Sequence, residues 1–142
     1  RVILVGAPRC GKSTYARQLR ATGVPTYCTD PRSLCKEPEA GVTYLPEQFA
    51  PPDMWSPGSR FVSDEWLTMP GPWCIEGVGT VRALRKVIDD GRIRILDGVR
   101  VVRFEEQYED AVTLPGQRTM AKHVDKIWGE IAHDLDHLAE YR

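Results

Sequence analysis

Residues 6 to 13 read Gly6-Ala7-Pro8-Arg9-Cys10-Gly11-Lys12-Ser13, a G-x-x-x-x-G-K-S loop, and no other stretch restricts the fold as strongly. Val2-Ile3-Leu4-Val5 before it is an unbroken aliphatic run, the pattern of a strand buried on both faces. Thr14 to Arg20 after it reads as a helix. In that strand–loop–helix setting the glycines let successive backbone N–H groups turn toward one phosphate chain. The helix N-terminus adds its positive dipole end. The binding set for a nucleoside triphosphate is then Gly6, Ala7, Pro8, Arg9, Cys10, Gly11, Lys12, Ser13 and Thr14. Lys12 is expected to reach the β- and γ-phosphates and the Ser13 hydroxyl to bind Mg²⁺. A glycine turn with an incidental lysine would leave the flanking strand and helix unexplained.

The 142 residues suffice for one domain with a real core, taken here as 1–142. At 42% hydrophobic and 27% charged, the chain is expected to be an ordinary globule. No apolar run is long enough to span a membrane and no signal-peptide pattern is present, so a cytoplasmic protein is expected. The net charge of −1 gives no global basic field for nucleic acid, though a local basic groove stays compatible with it. Cys10, Cys28, Cys35 and Cys74 form no CxxC pair and are read as reduced thiols, not as a disulfide or zinc framework. Arg1 stands directly before the first strand, as though a short leader had preceded it.

Gly23 is a plausible stop for the first helix, and Pro25 to Thr29 reads as a second strand that Pro31 breaks. Asp30 ends that strand. In open parallel sheets ligands bind outside the carboxyl ends of the strands, which puts Asp30 on the rim that carries the glycine loop. In-line phosphoryl transfer needs a carboxylate within hydrogen-bond reach of the acceptor oxygen. The plain alternative is an Asx-turn before Pro31.

Gly11-Lys12-Ser13-Thr14, then Ala16-Arg17, then a short strand ending in Asp30 with Arg32 close behind, resembles the kinase domain of polynucleotide kinases. It is also similar to other small P-loop kinases that phosphorylate a hydroxyl. The resemblance implies that Asp30 takes the proton from the attacking hydroxyl and that Arg32 lies toward the substrate. Trp73-Cys74-Ile75 is a third apolar strand, followed by Glu76-Gly77. Glu76 occupies the position of the acid ending a Walker B strand, which implies a substrate-side role holding Mg²⁺ through water. The Glu76-Gly77 corner with Arg82 after it resembles the Asp-Gly-x-x-Arg corner of nucleoside monophosphate kinases, in which the arginine grips the acceptor's phosphate. That role falls to Arg82 or Arg85, with a solvated arginine as the alternative.

Residues 31–57 hold six of the eleven prolines, together with Phe49, Met54 and Trp55, and read as a flap on the substrate side over the strand ends. Ser56-Pro57 reads as a helix start running to about Met69, with Val62 and Trp66 on one face and Trp66 in the core. A helix is expected over 80–90, stopped by Gly91. Ile93 to Phe104 reads either as a hairpin on Asp97-Gly98 or as a parallel central strand over Val99–Phe104. Residues 105–119 read as a lid loop whose acidic start is a solvated stretch. The last helix carries Met120, Val124, Ile127, Trp128, Ile131, Leu135 and Leu138 on one apolar stripe. By resemblance to the lid of small P-loop kinases, Arg118 near its start is the candidate that neutralises the transferring group. His133 and His137 have metal-ligand spacing but lie opposite the stripe and are expected to face water.

The expected fold is a single α/β P-loop kinase domain, with four or five mostly parallel strands, the loop strand central and helices on both faces. The expected activity is transfer of the γ-phosphoryl of ATP, with Mg²⁺, to a hydroxyl. The flap, Pro70 to Gly77, Ala83-Leu84-Arg85-Lys86 and Leu114-Pro115-Gly116-Gln117 together look like small phage-type P-loop kinases. Some of these phosphorylate the hydroxymethyl group of 5-hydroxymethyluracil in DNA. That resemblance implies a modified base in DNA as partner, exposed or flipped to reach Asp30, in a host cytoplasm. A nucleoside or nucleotide kinase is the close rival, and an ATPase with water as acceptor or an inactive nucleotide-binding module are rivals of other classes. The oligomeric state stays open.

Overall fold

The computed structural model describes residues 1–8, 11–105 and 115–142. It is an α/β structure in which β1 (Val2–Val5), β2 (Thr26–Pro31), β3 (Val42–Leu45), β4 (Cys74–Glu76), β5 (Arg100–Arg103) and β6 (Ala139–Tyr141) form one sheet in the order β3-β2-β4-β1-β5-β6. Every neighbouring pair runs parallel. The helices among the described residues are α1 (Lys12–Ala21), α2 (Trp55–Phe61), α3 (Thr80–Asp89) and α4 (Pro115–Leu135).

Alternation along β1 builds two cores. Ile3 and Val5 point into the larger one, with Trp66, Trp73, Leu84 and Trp128 from the side of α2, α3 and α4. Val2 and Leu4 point to the other face, where Ala16 and Leu19 of α1 cover Cys74 and Val102. Both faces of β1 are therefore sealed, as its aliphatic run requires. Helices lie on both faces and the loop strand is central, as expected.

The sheet has six strands and is wholly parallel, so the expected four or five was short. The two extra strands carry little signal. β3 lies inside the proline-rich 31–57 segment, at the sheet edge, and only Leu45 of its four residues is buried. β6 is three half-exposed residues after the last helix. The 31–57 segment is thus an edge strand flanked by single helical turns at Arg32–Leu34 and Glu47–Phe49. Pro31 closes β2 rather than breaking it, because the terminal position needs no further ladder donor.

α2 begins at Trp55, slightly before the Ser56-Pro57 start read from sequence, and Met54 is its N-cap. It runs into a π-helical turn over Val62–Trp66, closed by Leu67 N–H donating to the Val62 carbonyl at 3.0 Å. Trp66 is buried against Tyr27 and Phe61, a core residue as expected. Ile93–Leu96 is one turn of 3₁₀ helix and not half of a hairpin. β5 pairs parallel with β1, the second of the two expectations for that stretch. Of the lid assigned to 105–119, residues 106–114 lie outside the described residues, and 115–119 form the first turn of α4. The α4 stripe is buried at Val124, Ile127, Trp128, Ile131 and Leu135, while His133 and His137 are exposed. Among the described residues no helix is long and apolar enough to cross a membrane.

Candidate functional site

The Gly6–Ser13 loop leaves β1 at its carboxyl end and enters α1. Gly11 is the N-cap of α1 with φ +101°, a left-handed conformation that L side chains rarely adopt, so a glycine is needed there. Lys12, the first helical residue, is buried, and its ammonium donates to the Gly6 carbonyl at 2.9 Å and the Ala7 carbonyl at 2.5 Å. Among the described residues no side chain caps the helix, and Ser13 and Thr14 are exposed at its first turn. Arg9 and Cys10 lie outside the described residues.

Two carboxylates reach this loop from neighbouring strands. β2 pairs with β4 so that Cys28 stands opposite Glu76. With side chains alternating along a strand, Cys28, Asp30 and Glu76 share the face that α1 covers. Glu76 is held by the turn after it: Gly77 has φ +126°, Thr29 Oγ1 accepts from the Gly79 N–H at 3.0 Å, and Thr80 Oγ1 donates to the Leu4 carbonyl at 2.8 Å. These contacts tie the ends of β1, β2 and β4 into one rim.

Lys12, Ser13, Asp30 and Glu76 line a single cleft of about 540 Å³, floored by α1 and closed on the other side by the 34–44 stretch. That volume suits a nucleotide-sized molecule. Burial pushes the Asp30 carboxyl above its ordinary range, and the Lys12 charge pulls it part of the way back. Glu76 behaves alike, raised by burial and lowered by Lys12 and by the adjacent Cys28 thiol. One ammonium thus acts on both acids, while desolvation favours their protonated forms. Burial, reinforced by the charges of Glu76 and Asp30, raises the Cys28 thiol, which makes it a poor nucleophile at neutral pH.

The other sequence candidates lie elsewhere. Arg32 is exposed in the turn after β2 and is not part of the cleft wall. Arg82 sits on α3, its guanidinium 4.8 Å from the Trp55 ring centre and 3.3 Å from His123 Nδ1, outside the cleft lining. Arg85 faces Glu130 at 3.3 Å. Arg118 is exposed in the first turn of α4, although Gly116 and Gln117 of that turn and Met120 just after it line the cleft. Cys28, Cys35 and Cys74 are free thiols, and Cys10 is outside the described residues. Among the described residues no group of three or more His, Cys, Asp or Glu converges as a metal cage.

Sequence reasoning named Arg17 and Gly77 only within the motifs that carry the resemblances and assigned them no role. It also gave no role to the pinning residues Thr29 and Thr80, or to Arg20, Glu39 and Tyr44, which with Arg17 extend the cleft. The one available signal was i, i+4 spacing: Ser13 and Arg17 lie on one face of α1, as do Ala16 and Arg20. Comparison with protein-family models, with curated proteins and with solved structures returned no match to this chain.

Proposed function

We propose that this chain is a Mg-ATP-dependent phosphotransferase of the cytoplasm that acts on a hydroxyl of a nucleic-acid-type acceptor, foremost the hydroxymethyl group of 5-hydroxymethyluracil in phage DNA. The observation that carries the reading is the shared cleft: one lysine on a glycine loop, a serine beside it, and two acids on adjacent strand ends. The residues fit the cofactor. Gly11, left-handed at the N-cap, turns the chain from the loop into α1 beside the cleft that Lys12, Asp30 and Glu76 line. Lys12 and the loop amides would hold the phosphates, and Ser13 and Glu76 the Mg²⁺ shell. Bound Mg-ATP supplies the phosphoryl group and offsets its charge.

Asp30 orients the acceptor hydroxyl and takes its proton. Its raised affinity for that proton suits a base that must accept one and then release it. The buried walls of Ala16, Thr26 and Cys28 exclude water that would otherwise compete as acceptor. A nucleoside or nucleotide kinase is the second reading, favoured by a cleft the size of one nucleotide and by the net charge of −1.

The test is transfer of label from γ-labelled ATP. Label on oligonucleotides containing hydroxymethyluracil, and none on unmodified ones, is the expected result. Label on mononucleotides alone selects the second reading. Label on inorganic phosphate alone overturns both in favour of an ATPase.

A further inference from the structure

The cleft does not stop at Glu76. It continues along α1, past Ala16, to Arg17 and Arg20. At 1.5 Å rise per residue these lie roughly 6 and 10 Å along the helix axis from Ser13. Both guanidiniums close on one carboxylate. Arg17 Nε donates to Glu39 Oε1 at 2.5 Å, and Arg20 Nη2 donates to Glu39 Oε2 at 2.8 Å. The Glu39 backbone N–H donates to the Tyr44 hydroxyl at 2.8 Å, so the acid is presented from the stretch leading into β3. Glu39 and Glu76 are close enough for the charge of Glu39 to act on Glu76, and that of Glu76 on Arg17. The trio and the strand-end acids therefore share one electrostatic compartment.

Two arginines gripping both oxygens of one anion is the geometry by which proteins hold phosphate. Here the anion is the chain's own. Glu39, Arg17 and Arg20 keep about 27%, 54% and 27% of their side-chain surface, so the ion pairs are screened and hold weakly. A monoester phosphate dianion carries twice the charge of the carboxylate; a strand's phosphodiester carries the same single charge and competes through the weak hold of Glu39 on the arginines.

We propose that Arg17 and Arg20 are the phosphate subsite for the acceptor, and that Glu39 occupies it as a placeholder until a phosphate displaces it. The proposal rests on reading the cleft as a phosphoryl-transfer site and narrows the acceptor to a phosphate-bearing nucleotide unit. That phosphate belongs either to a free nucleotide or to a strand.

Titration calorimetry on the full chain, with a non-hydrolysable Mg-ATP analogue present, tests it with thymidine 5′-monophosphate, the dinucleoside phosphate TpT, and thymidine. Glu39→Gln is expected to bind a phosphate-bearing probe roughly three- to tenfold more tightly than wild type. The Arg17→Ala/Arg20→Ala variant is expected to bind it at least about tenfold more weakly. Thymidine is indifferent to both changes. Preference for the monophosphate identifies a free nucleotide, and preference for TpT a strand. Should the double variant fail to fold, Arg20→Lys keeps the charge without the fork and gives a partial loss. Equal or weaker binding by Glu39→Gln overturns the proposal and makes the trio a strut. So does indifference to the arginines, or the absence of binding by either phosphate probe. Binding of the ATP analogue is measured separately. If it fails while the arginine dependence holds, the phosphotransferase reading falls and the subsite stands.

Discussion

Gly77 lies against Thr29 so closely that a Cβ built on it would stand 2.2 Å from Thr29 Oγ1 and 3.0 Å from the Thr29 backbone nitrogen. The turn that follows Glu76 is therefore moulded onto the strand that ends in Asp30. No side chain fits between them, and the φ of +126° disfavours one as well.

Gly77→Ala is expected to cost about 2–3 kcal/mol, from overpacking together with backbone strain. Denaturant unfolding measures it. Gly23→Ala is the control: its φ is +93° but its surroundings are open, so only strain of about 1 kcal/mol applies. Equal losses in the two variants would mean that the contact with Thr29 contributes nothing.

Lys12→Ala and Asp30→Asn separate binding from chemistry. The first removes the charge on the loop and is expected to abolish both nucleotide binding and transfer. The second is expected to lower transfer by on the order of 10²- to 10⁴-fold while nucleotide affinity stays within a few fold. Steady-state labelling and a fluorescent-nucleotide titration give the two readouts. Wild-type turnover in Asp30→Asn would remove Asp30 from the role of base.

The same two acids set a pH dependence of stability. Burial raises Asp30 and Glu76 in the folded chain, so each keeps its proton to higher pH folded than unfolded. Their contribution is complete below the ordinary carboxylate pKa of about 4 and is lost as pH rises through the raised values. Above those raised values both are charged at a cost to the fold. Asp30→Asn and Glu76→Gln should each stabilise the protein there by about 1 kcal/mol and flatten the loss between acid and neutral pH. Urea midpoints across that range provide the check. Midpoints that run parallel to wild type at every pH would contradict it.

Arg103 makes a separate prediction on the other side of the sheet. Its side chain is 7% exposed, paired with Asp125, 5.8 Å over the Trp128 ring, and among the described residues its Nε has no hydrogen-bond partner. Asp125→Ala strands a buried guanidinium and is expected to cost about 2–3 kcal/mol. Arg103→Met removes both charge and orphan donor and should stay within about 1 kcal/mol of wild type. The double variant should match Arg103→Met, as a double-mutant cycle by thermal unfolding would register.

What could be read ahead of the fold follows from how local each feature is. The loop strand was legible because four aliphatics in a row leave no solvent face, and the glycine loop because its spacing is covalent. Asp30 and Glu76 could be brought together on paper because parallel strands put their ends on one rim. β3 and β6 were not legible, since edge strands need few buried residues and show no period. Arg82 and Arg118 illustrate the other limit. Arg82 stands on a helix read from the sequence and turns to Trp55 and His123. Arg118 was read at the end of a lid loop and stands in the first turn of α4, beside cleft-lining Gly116 and Gln117. Arg17 and Arg20 had no partner legible in the sequence; Glu39, 22 and 19 residues on, came opposite them only through the fold.

In β1, Val2 takes Cys74 as its neighbour on one side and Arg100 on the other. Neither exists when the glycine loop leaves the ribosome. A growing chain therefore carries four bare aliphatic residues and a formed loop sequence with nothing beneath them until β5 has been made. The cleft, although its glycine loop is made well before β4 and β5, is among the last parts of the molecule to take shape, and the wait is when the chain is most open to the wrong neighbours.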